Sequence, residues 1–349
     1  AILAQAADPR QGRRQRPPAP RASMAGTRQG LDLRSLAAAS ARKKQAKSIA
    51  ELGLEKYALE LEMNGLTVLP PEVTGLTPER CDDLVAKLLA RAQELVGCPF
   101  SLEDGPAEDL EFGAAANLLG FMAQGLGGEP PPKPSQVQVV QLAQLDRGFR
   151  DLALNPPALA LIHQMVGFGE ARLSSTNAFL KWRGGGYGQN LGMHCDQGTP
   201  LPWGRQALNA NVNWCLTDYT KEGGALAYVP GSHHRHSYPV FPAAVVQAVA
   251  VEAKRGSAIV FHGQTWHGAF PKRTGGLRVT VSNYFRHSSV MPQEDIPGSF
   301  PRELAEDCQD PRAFRQLAGF QGAPYKAQPP ALLARRKGAG SSGAPMARL

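Results

Sequence analysis

The first half of the chain carries apolar residues at helical spacing. Ala, Lys, Glu and Leu dominate residues 36–63, which predicts a helix that ends at the Asn-Gly pair 64–65. A further helix is expected after Thr77, which can cap it, with Pro78 at its first position. Its apolar face is predicted to consist of Cys81, Leu84, Val85, Leu88, Leu89, Ala92, Leu95 and Val96.

More short segments surround this helix. The stretch "LTVLP" (66–70) predicts a strand, and residues 114–124 predict another helix. Residues 125–135 are rich in Gly and Pro and are expected to form an exposed loop. A last helix is expected from Pro157 to Gly167.

Beyond Ala171 the pattern changes to short apolar segments separated by turns rich in Gly and Pro. Five of these segments predict strands: "LSSTNAFLKW", "ALNANVNWCLTDY", "GALAYVP", "GSAIVFHG" and "LRVTVSNYFRH". Repeated short strands are typical of an all-β sandwich or barrel. Helices first and strands later therefore predict an α+β protein with a mainly β core and helices packed on its outside.

The positive charge of the chain lies at its two ends. The formal net charge is +8, with +9 in residues 1–50 and +4 in residues 331–349, so residues 51–330 carry −5. A general nucleic-acid-binding surface on the central part is therefore disfavoured. Gly, Pro or charged residues interrupt every apolar stretch, so no membrane span is expected.

These features predict one domain between two extensions. We expect residues 1–45 to be a disordered basic extension and residues 326–349 to be a disordered basic tail. The single domain would occupy residues 46–325, with a helical part at 46–170 and a β core at about 136–290.

The cysteines bear on the cellular compartment. There are five, an odd number with no C-x-x-C pair, which favours a reducing compartment over a disulfide framework. We therefore expect a cytoplasmic protein. The segment before Met24 is rich in Arg, Pro and Ala, so an organelle is the alternative if that segment is a transit peptide. The sequence does not predict the oligomeric state.

The segment "GMHCDQG" places an imidazole and a carboxylate two residues apart. In extended backbone His194 and Asp196 face one side, whereas Cys195 faces the other. A catalytic metal needs a third ligand, for which "GSAIVFHGQTWHG" offers His262 and His267. Two imidazoles and one carboxylate leave three positions open on Fe(II), where a co-substrate and O₂ can bind.

A family resemblance covers this region. From "FLKWRGG" through "MHCDQG" and "VPGSH" to "LRVTVSNYFRH", residues 136–290 resemble the phytanoyl-CoA dioxygenase family of Fe(II)- and 2-oxoglutarate-dependent oxygenases. That family carries an H-x-D motif, a Gly-rich segment, a VPGSH-like turn, a distal His and then an Arg. Two positions depart from the pattern, because Ser257 stands where Asp is usual and Gly223 replaces a common Asn.

The resemblance implies a double-stranded β-helix, or jelly-roll, with a metal inside one mouth. It implies Fe(II), with 2-oxoglutarate and O₂ as co-substrates. His194 and Asp196 match the H-x-D ligands. His267 matches the distal ligand better than His262, since the family places that residue in a His-Gly pair eleven residues before the Arg. Arg278 matches that Arg, whose planar guanidinium suits the far carboxylate of 2-oxoglutarate.

Three further positions bear on the co-substrate through the same resemblance. Lys181 stands where the family has a "K-P-G" turn and would help to hold the 2-oxoglutarate carboxylate. Asn213 stands where the family carries a pocket residue. Ala269 stands where a hydroxyl residue is frequent, so one hydrogen bond to the co-substrate is expected to be missing or replaced.

Other conspicuous residues have structural interpretations. The resemblance places the tract "GSHHRH" in a turn, so solvated imidazoles are expected there rather than a second metal site. Cys195 and Cys215 are expected to pack in the interior. Arg286 and His287 are secondary candidates for substrate contact.

The predicted function is hydroxylation of an unactivated C–H bond in a small molecule or acyl substrate, with release of succinate and CO₂. Asp196 argues against halogenation, because the halogenases that resemble this family lack the carboxylate ligand. Two alternatives stay open: a non-catalytic jelly-roll protein that binds a ligand, and a cupin-type metalloenzyme that uses no 2-oxoglutarate. The sequence does not identify the substrate.

Overall fold

The computed structural model describes residues 33–111, 133–184 and 186–320. Contacts divide the chain into one unit of residues 1–39 and another of residues 40–349. A six-stranded and a three-stranded β-sheet both lie in the second unit. This unit therefore contains the β core of the protein.

Two helices replace the single helix predicted over residues 36–63. They are α1 (Leu33–Glu51) and α2 (Glu55–Asn64). Gly53 lies between them with a φ of +63°, a left-handed conformation that ends a helix and that glycine adopts readily. Because α1 begins at Leu33, the last part of the predicted basic extension is helical rather than disordered.

Of the next two helices, the second follows the prediction and the first was not predicted. They are α3 (Pro71–Thr74) and α4 (Pro78–Val96). The Thr77 side chain caps α4 by accepting a hydrogen bond from the Arg80 amide at 3.3 Å, as expected. The predicted helix at 114–124 and most of the predicted loop at 125–135 lie outside the described residues.

The remaining helices are short. They are α5 (Leu142–Leu145), α6 (Arg147–Ala153), α7 (Pro156–Val166), α8 (Ala243–Val246), α9 (Ile296–Ser299) and α10 (Pro311–Leu317), with 3₁₀ turns at Gly188–Asn190, Ser232–Arg235 and Arg302–Glu306. The helix expected from Pro157 begins one residue earlier, because Asn155 caps it by accepting from the Ala158 amide at 3.3 Å. Within the described residues, no helix is both long and apolar enough to cross a bilayer.

Each of the six segments predicted as strands contains one. The strands are β1 (Leu66–Leu69), β2 (Phe100–Ser101), β3 (Gly105–Pro106), β4 (Gln136–Val139), β5 (Ala171–Lys181), β6 (Asn209–Cys215), β7 (Leu226–Tyr228), β8 (Val249–Ala250), β9 (Ala258–His262), β10 (His267–Ala269) and β11 (Arg278–His287). The short strands β2, β3, β4, β8 and β10 lie outside the segments that the sequence predicts as strands.

The strands form two principal antiparallel sheets. The larger has six strands in the order β1-β9-β6-β11-β5-β4, and the smaller has three in the order β10-β7-β8. Neighbours in each sheet are seldom consecutive in sequence, so the chain crosses repeatedly from one sheet to the other. This arrangement is a jelly-roll, and the predicted α+β fold with helices on the outside is confirmed.

The larger sheet separates two environments. Val279 and Val281 of β11 are fully buried in the main core, which also contains Leu84, Leu88 and Leu161 from the helices. The alternate residues of the same strand, among them Thr280, Ser282 and Tyr284, line a cavity between the two sheets. The helices thus cover one face of the sheet, and the other face is left for a site.

Candidate active site

The H-x-D segment is joined to the start of β10. His194 and His267 form an isolated antiparallel bridge, in which each backbone amide donates to the other's carbonyl at 2.8 Å. This double hydrogen bond sets the two imidazoles side by side, with ring centroids 4.2 Å apart. Two residues that are 73 positions apart in sequence are therefore fixed as neighbours by the backbone alone.

The side-chain contacts of both histidines direct the same ring nitrogen inward. His194 Nδ1 lies 2.7 Å from the Gly192 carbonyl and His267 Nδ1 lies 2.9 Å from the Thr265 carbonyl. Since a carbonyl only accepts, each Nδ1 carries the proton and each Nε2 keeps a lone pair. Those Nε2 atoms lie 3.4 Å from the two carboxylate oxygens of Asp196.

Two residues of the larger sheet hold Asp196. The Asn211 amide donates to Asp196 Oδ2 at 2.5 Å, and the Tyr284 hydroxyl donates to the Asp196 carbonyl at 2.7 Å. Asn211 and Tyr284 stand directly opposite each other on β6 and β11. Sequence reasoning missed both residues. Asn211 had a usable signal, since it lies two positions before Asn213 and so on the same face of a predicted strand.

The buried position of the cluster sets its ionisation. Burial raises the pKa of Asp196, but the adjacent histidines and the Asn211 amide outweigh burial and leave that pKa below its usual value. Burial lowers the pKa of His267 to about 4, with His194 acting in the same direction. Burial also lowers the pKa of His194, although the neighbouring Asp196 carboxylate more than offsets it. The carboxylate and the His267 imidazole are thus kept in the forms that bind metals.

The donor set fits a divalent metal ion. One donor atom from each of His194, Asp196 and His267 lies within 4.8 Å of the other two, and no other group of this kind occurs in the described part of the chain. Two imidazole nitrogens and one carboxylate are the ligand set of non-heme Fe(II) sites with open positions.

Arg278 lies in the same cavity as these donors, which has a volume of about 720 Å³. Its guanidinium is buried, donates from Nη1 to the Gly224 carbonyl at 2.6 Å, and lies 4.9 Å from the centre of the Tyr219 ring. The hydroxyls of Tyr219 and Thr280 are hydrogen-bonded to each other and also line the cavity. The three candidate metal ligands and the buried Arg278 guanidinium therefore line the same cavity.

Residues 63–280 match the family described as phytanoyl-CoA dioxygenase (PhyH). The chain belongs to the phytanoyl-CoA dioxygenase family. The matched residues include the three clustered donors and Arg278, so the expected membership is confirmed. Membership and the donor set support the expected Fe(II), 2-oxoglutarate and O₂.

Two fungal dioxygenases are similar to this chain. Dioxygenase af480 of Aspergillus fumigatus is 32% identical over 185 residues, which cover 50% of this chain and 56% of that protein. Dioxygenase olcK of Penicillium canescens is 26% identical over 195 residues, covering 52% of this chain and 63% of that protein. The chain thus spans less than two thirds of the length of these curated relatives.

Solved structures with a similar fold include HygX from Streptomyces hygroscopicus with nickel and 2-oxoglutarate bound. It is 14% identical, with a TM-score of 0.47 over 68% of this chain and 89% of that one. The epimerase SnoN in complex with Fe³⁺, alpha ketoglutarate and nogalamycin RO is 19% identical, with a TM-score of 0.48 over 72% and 92%.

The residues predicted to contact the co-substrate lie in different places. Asn213 lines the cavity, and its buried Oδ1 has no hydrogen-bond partner. Lys181 does not line the cavity. It is fully buried, donates to the Phe270 carbonyl at 2.9 Å, and has a pKa well below its usual value because of burial and the nearby Arg278. Its side chain therefore holds the segment after β10, the strand that begins at His267, and makes no direct contact with the cavity.

His262 stands apart from the cluster because of strand alternation. It follows Phe261, which lines the cavity, so the two side chains point to opposite faces of β9. Its ring lies 5.3 Å from that of His233. Burial lowers the pKa of His262 to about 3 and that of His233 to about 4. The expectation that all imidazoles of the "GSHHRH" turn are solvated is therefore wrong for His233, which is buried.

The remaining candidates do not line the cavity. Arg286 donates to the Val290 carbonyl, and His287 interacts with the Ser289 hydroxyl at 2.7 Å, so neither is placed for the predicted contact with a substrate. Cys195 is buried in an apolar cluster with Met193 and Trp266, as its alternation with the ligands predicts.

Proposed function

We propose that this protein is an Fe(II)- and 2-oxoglutarate-dependent dioxygenase that hydroxylates a C–H bond of a small molecule or acyl substrate. The observation that carries the proposal is the presence of the His194, Asp196 and His267 donors and the Arg278 guanidinium in one cavity. Bound Fe(II) supplies the redox chemistry that couples conversion of 2-oxoglutarate and O₂ to succinate and CO₂ with oxidation of the substrate.

The protein supplies binding and orientation. His194 and His267 present Nε2 toward one point, because their Nδ1 protons are held by backbone carbonyls. Asn211 and Tyr284 fix Asp196 through its side chain and its backbone. Arg278 binds the far carboxylate of 2-oxoglutarate, and the hydroxyls of Tyr219 and Thr280 supply the hydrogen bond that Ala269 cannot.

The environment of Arg278 favours this function over both alternatives. Its side chain is buried, its Nε has no hydrogen-bond partner, and no carboxylate of the described residues lies within 4.0 Å of it. A buried cation without a counter-ion is costly unless a ligand completes it. A cupin-type enzyme without 2-oxoglutarate, or a simple binding protein, has no need for this residue beside three metal donors.

Turnover of the co-substrate tests the proposal. Purified protein with Fe(II), ascorbate and 2-oxoglutarate is expected to release succinate slowly even without a substrate, and iron chelation should stop the release. Addition of a cell extract should increase it and yield a product heavier by one oxygen atom. Failure to bind Fe(II), together with no succinate, would show that the chain is a binding protein. Turnover of a compound without 2-oxoglutarate would identify a cupin-type enzyme.

A further inference from the structure

The residues that line the cavity differ in exposure, and the metal donors among them are half-buried or buried. Four of its lining residues are exposed, namely Val140, Gln141, Gln293 and Asp295. They come from the segment after β4 and the segment after β11. These two segments therefore form the most exposed part of the cavity wall, or opening, among the described residues.

Hydrogen bonds fix the second segment at the opening. The Glu294 amide donates to the Ser174 carbonyl at 2.8 Å. The Glu294 carboxylate accepts from the backbone amides of Gln141 at 2.9 Å and Thr176 at 3.2 Å. Burial raises the pKa of Glu294, and these backbone donors oppose that effect. The carboxylate thus lies at a defined place at the opening.

The charge of the opening is acidic. Among the described residues, the charged groups that line the cavity apart from the metal donors and Arg278 are those of Glu294 and Asp295. No other Lys or Arg among the described residues lines it, and residues 112–132 contain neither amino acid. Such an opening attracts cations and repels carboxylates and phosphates.

Two lining side chains, Asn177 and Asn213, have a buried carbonyl oxygen without a hydrogen-bond donor among the described residues. Ser175 donates its proton to Gln293 Oε1 at 2.6 Å, so the Ser175 oxygen accepts from the Asn177 amide group at 3.3 Å. This chain of hydrogen bonds turns Asn177 Oδ1 away from Ser175, and that oxygen is buried without a partner. 2-Oxoglutarate carries only acceptors at neutral pH and cannot satisfy it. A bound substrate with a hydrogen-bond donor can satisfy it.

Apolar surface lies in the same space. Val140, Phe179, Leu226 and Phe261 line the cavity, and three of these four side chains are buried or half-buried. Desolvated aromatic and aliphatic walls favour an apolar body over a fully polar one.

We infer, on the basis of the proposed function, that the substrate is an uncharged or cationic molecule with an apolar body. Its hydroxyl or amine group donates a hydrogen bond to Asn177 Oδ1, and Glu294 and Asp295 exclude anionic molecules. Asn177, Glu294 and Asp295 are therefore the residues that determine specificity.

Three probes that share one aromatic body test this inference: phenylbutanol, phenylbutylamine and phenylbutyrate. Their dissociation constants are measured by ligand-observed NMR on protein loaded with Ni(II) and a non-reacting 2-oxoglutarate analogue. The amine and the alcohol are expected to bind about tenfold more tightly than the carboxylate. N177L should weaken both of them about tenfold, whereas N177D, which keeps an acceptor, should not.

Matched charge variants separate the opening from the rest of the surface. E294Q/D295N keeps the hydrogen-bond acceptors and removes two charges, so it should reduce the preference for the amine over the carboxylate to the part that the hydrogen bond to Asn177 supplies. E103Q/D104N removes the same pair of charges from an exposed Glu-Asp pair outside this cavity and should leave the preference unchanged. Equal or tighter binding of phenylbutyrate, binding of none of the probes, or indifference to N177L would overturn the inference. Binding of Ni(II) and the analogue in the same samples is the separate readout for the proposed function.

Discussion

The two faces of the six-stranded sheet differ in their side chains. One face packs apolar side chains into the main core, and the other lines the cavity with many polar side chains. On β5, Leu180 is fully buried in the main core, whereas its neighbours Phe179 and Asn177 line the cavity. On β11, Val281 packs in the same core while Ser282 faces the cavity. The packed face consists mainly of buried apolar side chains. The cavity face retains buried polar atoms without partners, among them Asn177 Oδ1 and Arg278 Nε.

This difference shows where stability and function lie. Packed apolar side chains stabilise a fold without any ligand, in proportion to the surface that they bury. Buried polar atoms without partners reduce stability, and they persist in native proteins chiefly where a ligand or water completes them. The cavity face is thus expected to control binding, and the packed face is expected to control the free energy of unfolding.

The largest expected difference is between variants of two histidines, one that faces the cavity and one that points away from it. H267A removes a metal donor and should abolish Fe(II) binding and succinate release. H262A changes an imidazole that points away from the cavity and should keep both. Equilibrium dialysis with Fe(II) under anaerobic conditions, together with circular dichroism to check folding, measures the difference. Loss of iron in H262A alone would reverse the assignment.

A matched pair on the sheet tests the packed face. L180A is expected to lower the free energy of unfolding by about 2–5 kcal/mol, because it leaves a cavity in a close-packed core. S282A, one strand away on the cavity face, should change that free energy by no more than about 0.5 kcal/mol. Urea denaturation with the metal removed measures both. A similar decrease in the free energy of unfolding in both variants would contradict the claim that the packed face controls stability.

The next effect in size is expected when Arg278 is replaced. R278M removes the guanidinium while keeping much of its volume, so it should raise the KM for 2-oxoglutarate about 10- to 100-fold, as expected when a charged hydrogen-bonding partner is lost. The dissociation constant for Fe(II) should stay the same. A KM that does not change in steady-state assays would exclude Arg278 from the co-substrate site.

An effect of similar size is expected at Asn211. N211L removes the amide that holds Asp196, and loss of such a supporting contact weakens metal binding by about 10- to 100-fold. N283L makes the same chemical change on the packed face, where the Asn283 carbonyl oxygen accepts from Trp214 at 2.7 Å, so it should lower stability but not metal affinity. Cobalt(II) titrations followed by absorption compare the two variants. Equal metal affinities would show that Asn211 has no positioning role.

The sequence predicted the parts of the fold that depend on local pattern. The helix after Thr77, the strand alternation and the placement of Cys195 away from the ligands all follow from spacing over a few residues. The break at Gly53 was missed because helical composition continues on both sides of one glycine. His267 was distinguished from His262 only by the family resemblance.

Tertiary contacts account for what the sequence could not predict. Glu294 reaches the opening because its backbone and carboxylate bond to the segments around Ser174 and Gln141, which are more than a hundred residues away in sequence. Tyr284 reaches Asp196 across 88 positions. Lys181 matches a family position near the co-substrate, yet its side chain turns toward the Phe270 carbonyl and is buried. The spacing of residues in the sequence does not predict these contacts.

Anaerobic titration of the Fe(II)-loaded protein with 2-oxoglutarate tests the central claim most directly. The account predicts a visible charge-transfer band that saturates at one 2-oxoglutarate per iron, is absent in H267A, and requires a much higher concentration of 2-oxoglutarate in R278M. Absence of the band in the wild-type protein, or the same titration curve in R278M, would contradict the claim that the metal donors and Arg278 form one site.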